Sequence, residues 1–197
     1  YAFTIEAFIR LYQATFDEQW LSQAQVLTDY CKTHFYDSQS GMFYFTSDED
    51  APLVARKMEI NDNVIPASSS VMANNLFVLG QLLNDSDYLN MAKVQLNNIK
   101  NDMPSYGSGY SNWANLMLKQ VAPFYEIAIV GTDALEKSMD LQENYQPNSL
   151  ILGSDKESDL PLLKNKMIAG QTTIYICQNK SCQLPTTDIK QAFELMP

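Results

Sequence analysis

Four charged residues within seven positions are the strongest candidates for chemistry in this sequence. Arg56, Lys57, Glu59 and Asp62 lie in RKMEIND, shortly before a proline, three serines and an apolar helical pattern. Two carboxylates this close could donate and accept protons, as catalytic acid and base pairs do. The same segment could instead begin a helix, with Asp62 capping a turn and Arg56 pairing with Glu59. For each residue alone the structural role is favoured, whereas the clustering favours a site for the group.

Two cysteines near the C-terminus form a second candidate site. Cys177 and Cys182 stand in CQNKSC, where four intervening residues differ from the two-residue spacing of thioredoxin active sites. A loop after a strand could let them meet as a disulfide or pack as separate thiols. We expect reduced, packed thiols, with a redox or regulatory pair as the alternative.

Metal and cofactor sites are not predicted. The third cysteine, Cys31, lies on the packing face of a predicted helix, and the single histidine, His34, lies near the C-terminal end of that helix. The pattern VGTDA has one glycine where a dinucleotide-binding loop needs three. We therefore expect no metal ion and no cofactor.

Composition and charge narrow the class of protein. With 197 residues and 46% hydrophobic content, the chain can bury a sizeable core. It has 13 basic and 23 acidic residues, a net charge of −10, and no basic run that could follow a phosphate backbone, so nucleic acid and membrane partners are not expected. No apolar run is long enough to span a bilayer and the start lacks a signal-peptide pattern, so we expect a cytoplasmic protein.

An internal repeat organises the first part of the chain. A shift of 68 positions aligns similar residues in two segments, among them Leu11 with Leu79 and Ala24 with Ala92. The pattern predicts two helical hairpins, with helices near 2–15, 17–35, 67–83 and 86–102, and a further helix that begins near Tyr110. Two short strands are predicted between the hairpins, at 43–45 and 53–54. Because the helical pattern is already under way at residue 1, we expect this chain to be a fragment of a longer one.

The predicted secondary structure changes after Pro123, from helical hairpins to strands and helices. FYEIAIVG reads as a buried strand that ends in glycine, TDALEKSMDLQENYQP as a helix, and SLILG and TTIYIC as further strands. Strand, helix and strand in this order predict a small parallel α/β unit, closed by a short helix that Asp188 caps. We therefore predict helical hairpins over 1–122 and an α/β appendage over 123–197.

Several ordered motifs resemble one known family. They are LY-x-x-T-x-D-x-x-W-L, F-x-D-x-x-x-G-x-F-x-x-T, R-x-x-E-x-x-D-x-x-x-P and Y-x-C-x-x-x-x-C-x-x-P-x-T-D, and they span nearly the whole chain. Together they are similar to the C-terminal part of the thioredoxin-domain-containing family that includes spermatogenesis-associated proteins. One departure is Ser69, where the family pattern has Asn.

The resemblance implies a fold and a site. The family's helical region resembles the (α/α) toroid of six-hairpin glycosidases and N-acylglucosamine 2-epimerases, so the expected fold is mainly α, a partial toroid with the small α/β unit. In such a ring the loops that enter inner helices line one mouth. Glu59 and Asp62 would then supply acids, Arg56 would contact a ligand anion or hydroxyl, and Tyr110 and Trp113 would stack on a sugar.

Two functions follow from this resemblance. The first is a fragment of a sugar epimerase-like or glycosidase-like protein that is not active alone. The second is a non-catalytic scaffold or binding module attached to a thioredoxin-like domain. Expected partners are the missing N-terminal hairpins, the thioredoxin-like domain, a sugar ligand, and a second copy of the fragment through its uncovered apolar face.

Overall fold

The computed structural model describes residues 1–51 and 54–196, and these residues are mainly α-helical with a two-stranded sheet and a four-stranded sheet. The described helices are α1 (Ala2–Thr15), α2 (Gln19–His34), α3 (Ser68–Leu83), α4 (Ser86–Ile99), α5 (Ser111–Val121), α6 (Ala134–Gln142) and α7 (Ile189–Glu194). The described strands are β1 (Tyr36–Asp37), β2 (Met42–Phe43), β3 (Tyr125–Val130), β4 (Ser149–Ser154), β5 (Thr173–Gln178) and β6 (Ser181–Cys182). The helices expected from periodicity are present, with ends that differ by up to three residues.

The chain forms two compact units. The first comprises Tyr1–Ile9 and Gln19–Leu118, and the second comprises Arg10–Glu18 and the chain from Lys119 onward. The second unit thus includes a segment of the N-terminal hairpin region, because Phe16 packs against the apolar core of the sheet. No helix in the described ranges is both long enough and apolar enough to cross a membrane.

Helices α3 and α4 form a closely packed hairpin in the first unit. Between them Asn84 adopts a left-handed conformation, and the Asp85 carboxylate accepts hydrogen bonds from the amides of Asp87 and Tyr88 at 2.8 and 3.0 Å. Ala92 is fully buried, and a side chain at Gly80 would collide with Leu89. The turn at Asn84 and Asp85 and the small residues Gly80 and Ala92 therefore let the two helices pack closely.

The strand pair of the first unit differs from the expectation. β1 pairs antiparallel with β2 through Tyr36 and Phe43, whereas the sequence predicted strands at 43–45 and 53–54. The turn forms earlier because the Asp37 carboxylate accepts hydrogen bonds from the two amides that follow at 39 and 40, and Gly41 takes a positive φ of 70°. Val54 is exposed and lies outside any strand, and Leu53 lies outside the described residues.

The sheet of the second unit has the strand order β4-β3-β5-β6. β3 and β4 run parallel and are connected through α6, as predicted, but β5 is antiparallel to β3. The chain between β4 and β5 contains no described α-helix that could form a parallel crossover, and it returns beside β3 in the opposite direction. One sheet face buries an apolar cluster against α6 and α7, made of Ile127, Ile129, Ile151, Ile174, Ile176, Ala134, Leu141 and Ala192.

We predict that Gly131 is essential to the link between β3 and α6. Its φ is 137°, and a Cβ there would lie 2.5 Å from Thr172 Cα and 2.6 Å from the Gln171 carbonyl oxygen. Gly131→Ala should lower the free energy of unfolding by about 3 kcal/mol, through backbone strain and steric overlap. Gly170→Ala is the control, because Gly170 also has a positive φ but open space around it, and it should cost only about 1 kcal/mol. Urea denaturation measures both, and equal losses would contradict the steric argument.

Candidate functional site

The carboxylate of Asp62 is buried and fully occupied by internal hydrogen bonds. Asp62 is only 5% exposed. Oδ1 accepts from the Ala67 amide at 2.9 Å and from the Ser70 hydroxyl at 2.6 Å, and Oδ2 accepts from the Asn112 amide at 2.8 Å. The Asp62 amide donates to the Gly109 carbonyl at 2.8 Å. Asp62 therefore joins the beginnings of α3 and α5, and both of its oxygens have donors inside the protein.

The two aromatic residues predicted to stack on a sugar lie inside the protein. Trp113 is 0% exposed, and its indole nitrogen donates to the Ile60 carbonyl at 2.9 Å. Tyr110 is 9% exposed. Both rings are buried, and the Trp113 indole holds the segment that contains Asp62 against α5.

Arg56 supports a loop and does not pair with Glu59. Its guanidinium donates to the carbonyl of His34 at the end of α2 at 3.0 Å and to the carbonyl of Thr46 at 2.6 Å. It also lies over the ring of Tyr44, 4.2 Å from the centroid. These contacts fix the position of Tyr44.

Glu59 is the predicted acid that reaches an open pocket. One of its oxygens accepts a hydrogen bond from the Ser68 amide at 2.9 Å, and so caps α3 from nine residues away. The other oxygen accepts no hydrogen bond from the described residues. Because the N-cap residue Ala67 has no side chain that could bond to the helix amides, Glu59 and Asp62 together replace a local cap.

The pocket beside Glu59 has a volume of about 430 Å³, and half of its lining residues are aromatic. Its floor consists of the buried side chains Cys31, Phe43 and Met72. Exposed residues form the rim, including Phe45, which is 59% exposed. The remaining lining residues are Tyr1, Ala2, Phe3, Phe35, Tyr44, Ile65 and Ser68.

Sequence reasoning missed these pocket aromatics because it assigned 43–45 to a strand. The aromatic residues at 35 and 43–45 were the available signal, since ligand pockets are lined predominantly by apolar and aromatic side chains. The Ser69 hydroxyl donates to the Phe43 carbonyl at 3.4 Å behind this wall.

Cys177 and Cys182 form a disulfide in the second unit. This corrects the expectation of reduced, packed thiols. The two residues are direct partners in the β5–β6 hairpin, whose turn residues Asn179 and Lys180 have φ values of 48° and 64°. Such a two-residue turn with both φ values positive is the type that closes antiparallel hairpins, and it brings the two cysteines face to face.

The third cysteine is a buried free thiol. Cys31 lies at the pocket floor, and burial raises its pKa to about 11. In the part of the chain that the structure describes, no group of three His, Cys, Asp or Glu residues could hold a metal ion.

We predict that Asp62→Asn destabilises the protein although it preserves shape. The substitution replaces one acceptor oxygen with a side-chain NH₂ group, and this donor would face the backbone N–H of Asn112 or of Ala67. The free energy of unfolding should therefore fall by about 2 kcal/mol. Asp85→Asn is the matched control, because Asn caps a single helix as well as Asp does and should change stability by less than about 0.5 kcal/mol. Chemical denaturation distinguishes the two, and a neutral Asp62→Asn would contradict the role assigned to this carboxylate.

Before any reductant is added, we predict one titratable thiol per chain, and after reduction we predict three. The thiols are counted with a thiol reagent in denaturant. In the folded protein Cys31 should react slowly near neutral pH, because its raised pKa leaves little thiolate. Three thiols before reduction would contradict the disulfide.

Comparisons with known proteins connect the chain to named relatives. No family model matches it. It is 26% identical over 200 residues to spermatogenesis-associated protein 20 from Homo sapiens, and the aligned region covers 95% of this chain and 25% of that protein. The rat protein of the same name is 26% identical over 202 residues, and an uncharacterized protein from Caenorhabditis elegans is 24% identical over 210 residues. The chain thus spans about a quarter of the length of these relatives, and it is similar to spermatogenesis-associated protein 20 along nearly all of its own length.

Proposed function

We propose that the first unit is a ligand-binding module, and that its aromatic pocket beside Glu59 takes a sugar ring. One observation carries this proposal: Glu59 has a free oxygen in an open pocket, whereas both oxygens of Asp62 are occupied inside the protein. A binding site needs one such acceptor. A catalytic acid pair of the kind expected from RKMEIND would need two carboxylates with a free oxygen.

The pocket walls suit a ligand that is apolar on one face and polar at its edge. Sugar rings present C–H groups on their faces and hydroxyls at their edges. Aromatic rings such as Phe45 and Tyr44 would pack against a ring face, and the Glu59 carboxylate would accept a hydroxyl hydrogen. Arg56 serves this site indirectly, because it holds the back of the Tyr44 ring.

A second candidate is a sugar-active enzyme whose other catalytic group lies outside this chain. The two helical hairpins at a spacing of 68 residues support a partial (α/α) toroid, and the relatives are about four times longer than the matched region. In such a protein Glu59 would be one catalytic acid, and a group from the rest of the protein would be the other. In either case the module would act alongside a thioredoxin-like domain.

The experiment is calorimetric titration of the protein with a panel of neutral and N-acetylated hexoses. We expect one or more of them to bind, Glu59→Gln to weaken binding about tenfold, and Phe45→Ala to weaken it by a similar factor. Glu59→Gln keeps an oxygen that can cap Ser68, so stability should change little.

Matched controls separate the pocket from general effects. Glu143→Gln removes a surface carboxylate outside the pocket, and Leu184→Ala removes an exposed apolar side chain outside it. Neither should change affinity. If no sugar binds, or if the controls weaken binding as much as the pocket variants do, the proposed function is wrong. If the whole protein turns over a bound sugar, and Glu59→Gln abolishes this turnover, the enzyme is favoured over the binding module.

A further inference from the structure

A row of three chemically active side chains crosses the sheet of the second unit. Glu126 on β3 is the direct antiparallel partner of Cys177 on β5, and Cys177 is the partner of Cys182 on β6. Directly opposed residues place their side chains on the same face of a sheet, a few ångströms apart. The neighbouring residues Ile127 and Ile176 belong to the apolar core on the other face. The disulfide therefore lies between a carboxylate and the edge of the sheet.

A lysine ammonium group lies against the disulfide on this face. Lys166 Nζ is 3.1 Å from Cys182 Sγ and 3.9 Å from Cys177 Sγ. It also lies over the ring of Tyr175, 4.8 Å from the centroid, and the Tyr175 hydroxyl donates to the Lys166 carbonyl at 3.1 Å. The ring and hydroxyl of Tyr175 thus hold Lys166 beside the sulfurs.

Glu126 is an unusual residue for the middle of this sheet. It is 0% exposed, one oxygen accepts from the Lys180 amide at 2.9 Å, and the other, Oε1, has no hydrogen-bond partner among the described residues. Burial raises the pKa of Glu126 and lowers the pKa of Lys166. Leaving a buried carboxylate oxygen unpaired costs free energy, and packing of the sheet does not require a carboxylate at this position.

We propose that Cys177 and Cys182 form an exchangeable redox pair, in which Lys166 stabilises the thiolate and Glu126 exchanges its proton. The reductant is a thiol, either a low-molecular-mass thiol or the dithiol of another protein. A disulfide that only cross-links the chain gains nothing from an adjacent ammonium group or a buried carboxylate. The loop that it closes is also short, with the cysteines five positions apart, so its effect on the unfolded chain is small compared with that of longer loops.

The exchange proceeds in two balanced steps. Cys182 is partly exposed and Cys177 is buried, so the external thiolate attacks Cys182 Sγ. A new S–S bond forms to Cys182, the bond between the two cysteines breaks, and its electron pair leaves on Cys177 as a thiolate. A second thiolate then attacks the external sulfur of the mixed disulfide and releases Cys182 as a thiolate. The pair gains two electrons and two protons, and two thiols become one external disulfide.

The surrounding charges assist the leaving group. The Lys166 ammonium faces the Cys177 thiolate as it forms and lowers its energy. A protonated Glu126 can pass its proton to that thiolate, whereas an ionised Glu126 repels it. The other titratable groups that face Glu126 and the disulfide are Lys180 and Tyr175, and burial raises the pKa of the Tyr175 hydroxyl. The assistance from Glu126 is therefore present at low pH and lost as pH rises through its raised pKa.

The first test uses glutathione. The protein is equilibrated in glutathione redox buffers between about pH 6 and pH 9, trapped with a thiol reagent and counted by mass spectrometry. We expect the pair to exchange, and Lys166→Met to shift its equilibrium about threefold to tenfold toward the disulfide. Lys166→Arg should restore most of the wild-type behaviour. Lys164→Met is the matched control, because Lys164 lies in the same loop and pairs instead with the exposed Asp159 at 2.9 Å.

Two further variants test the direction of attack and the proton. Cys177→Ser leaves Cys182 free and should form a mixed disulfide with glutathione readily, whereas Cys182→Ser should form one about tenfold more slowly. The reduction rate of the wild-type disulfide, divided by the reduction rate of the Glu126→Gln disulfide, should fall as pH rises. The proposal is overturned if glutathione leaves the wild-type disulfide intact, or if Lys166→Met behaves like Lys164→Met while both retain the wild-type circular dichroism.

Discussion

The first unit depends on one buried carboxylate that begins two helices. A helix N-terminus has amides without partners inside the helix, and a negative charge there is favourable. Asp62 serves the beginnings of α3 and α5 at once, and Trp113 anchors the backbone just before it. Because α5 follows α3 by more than 25 residues along the chain, this contact fixes the geometry of the unit in a way that no local cap could.

The pocket is a consequence of that arrangement. Once Asp62 has fixed the start of α3, Glu59, three residues earlier, caps the same helix with one oxygen and keeps the other free for the pocket. Arg56 then holds the aromatic wall through Tyr44. Three residues of one charged segment thus carry different tasks: a buried link, an open acceptor and a support for the wall.

The sheet of the second unit separates packing from chemistry by face. Alternation along β3 sends Ile127 and Ile129 into the apolar core and leaves Glu126 on the opposite face with the disulfide. A carboxylate in a buried strand is tolerated because a backbone amide of the next hairpin reaches one of its oxygens. Its second oxygen and the nearby Lys166 ammonium give that face a polarity that packing alone does not require.

The sequence by itself determined the helices, the β3–α6–β4 unit and the cap at Asp188, because each follows from local periodicity and local hydrogen bonding. It also located the charged segment and the cysteine pair as the residues of interest. Only the tertiary structure decided what they do. Glu59 and Asp62 are three positions apart, but the first is exposed and the second is buried, since burial depends on α5, which arrives from a distant part of the chain. The antiparallel return of β5 likewise places Glu126 beside Cys177, a contact that no sequence spacing contains, because side chains meet across strands through register and not through order along the chain.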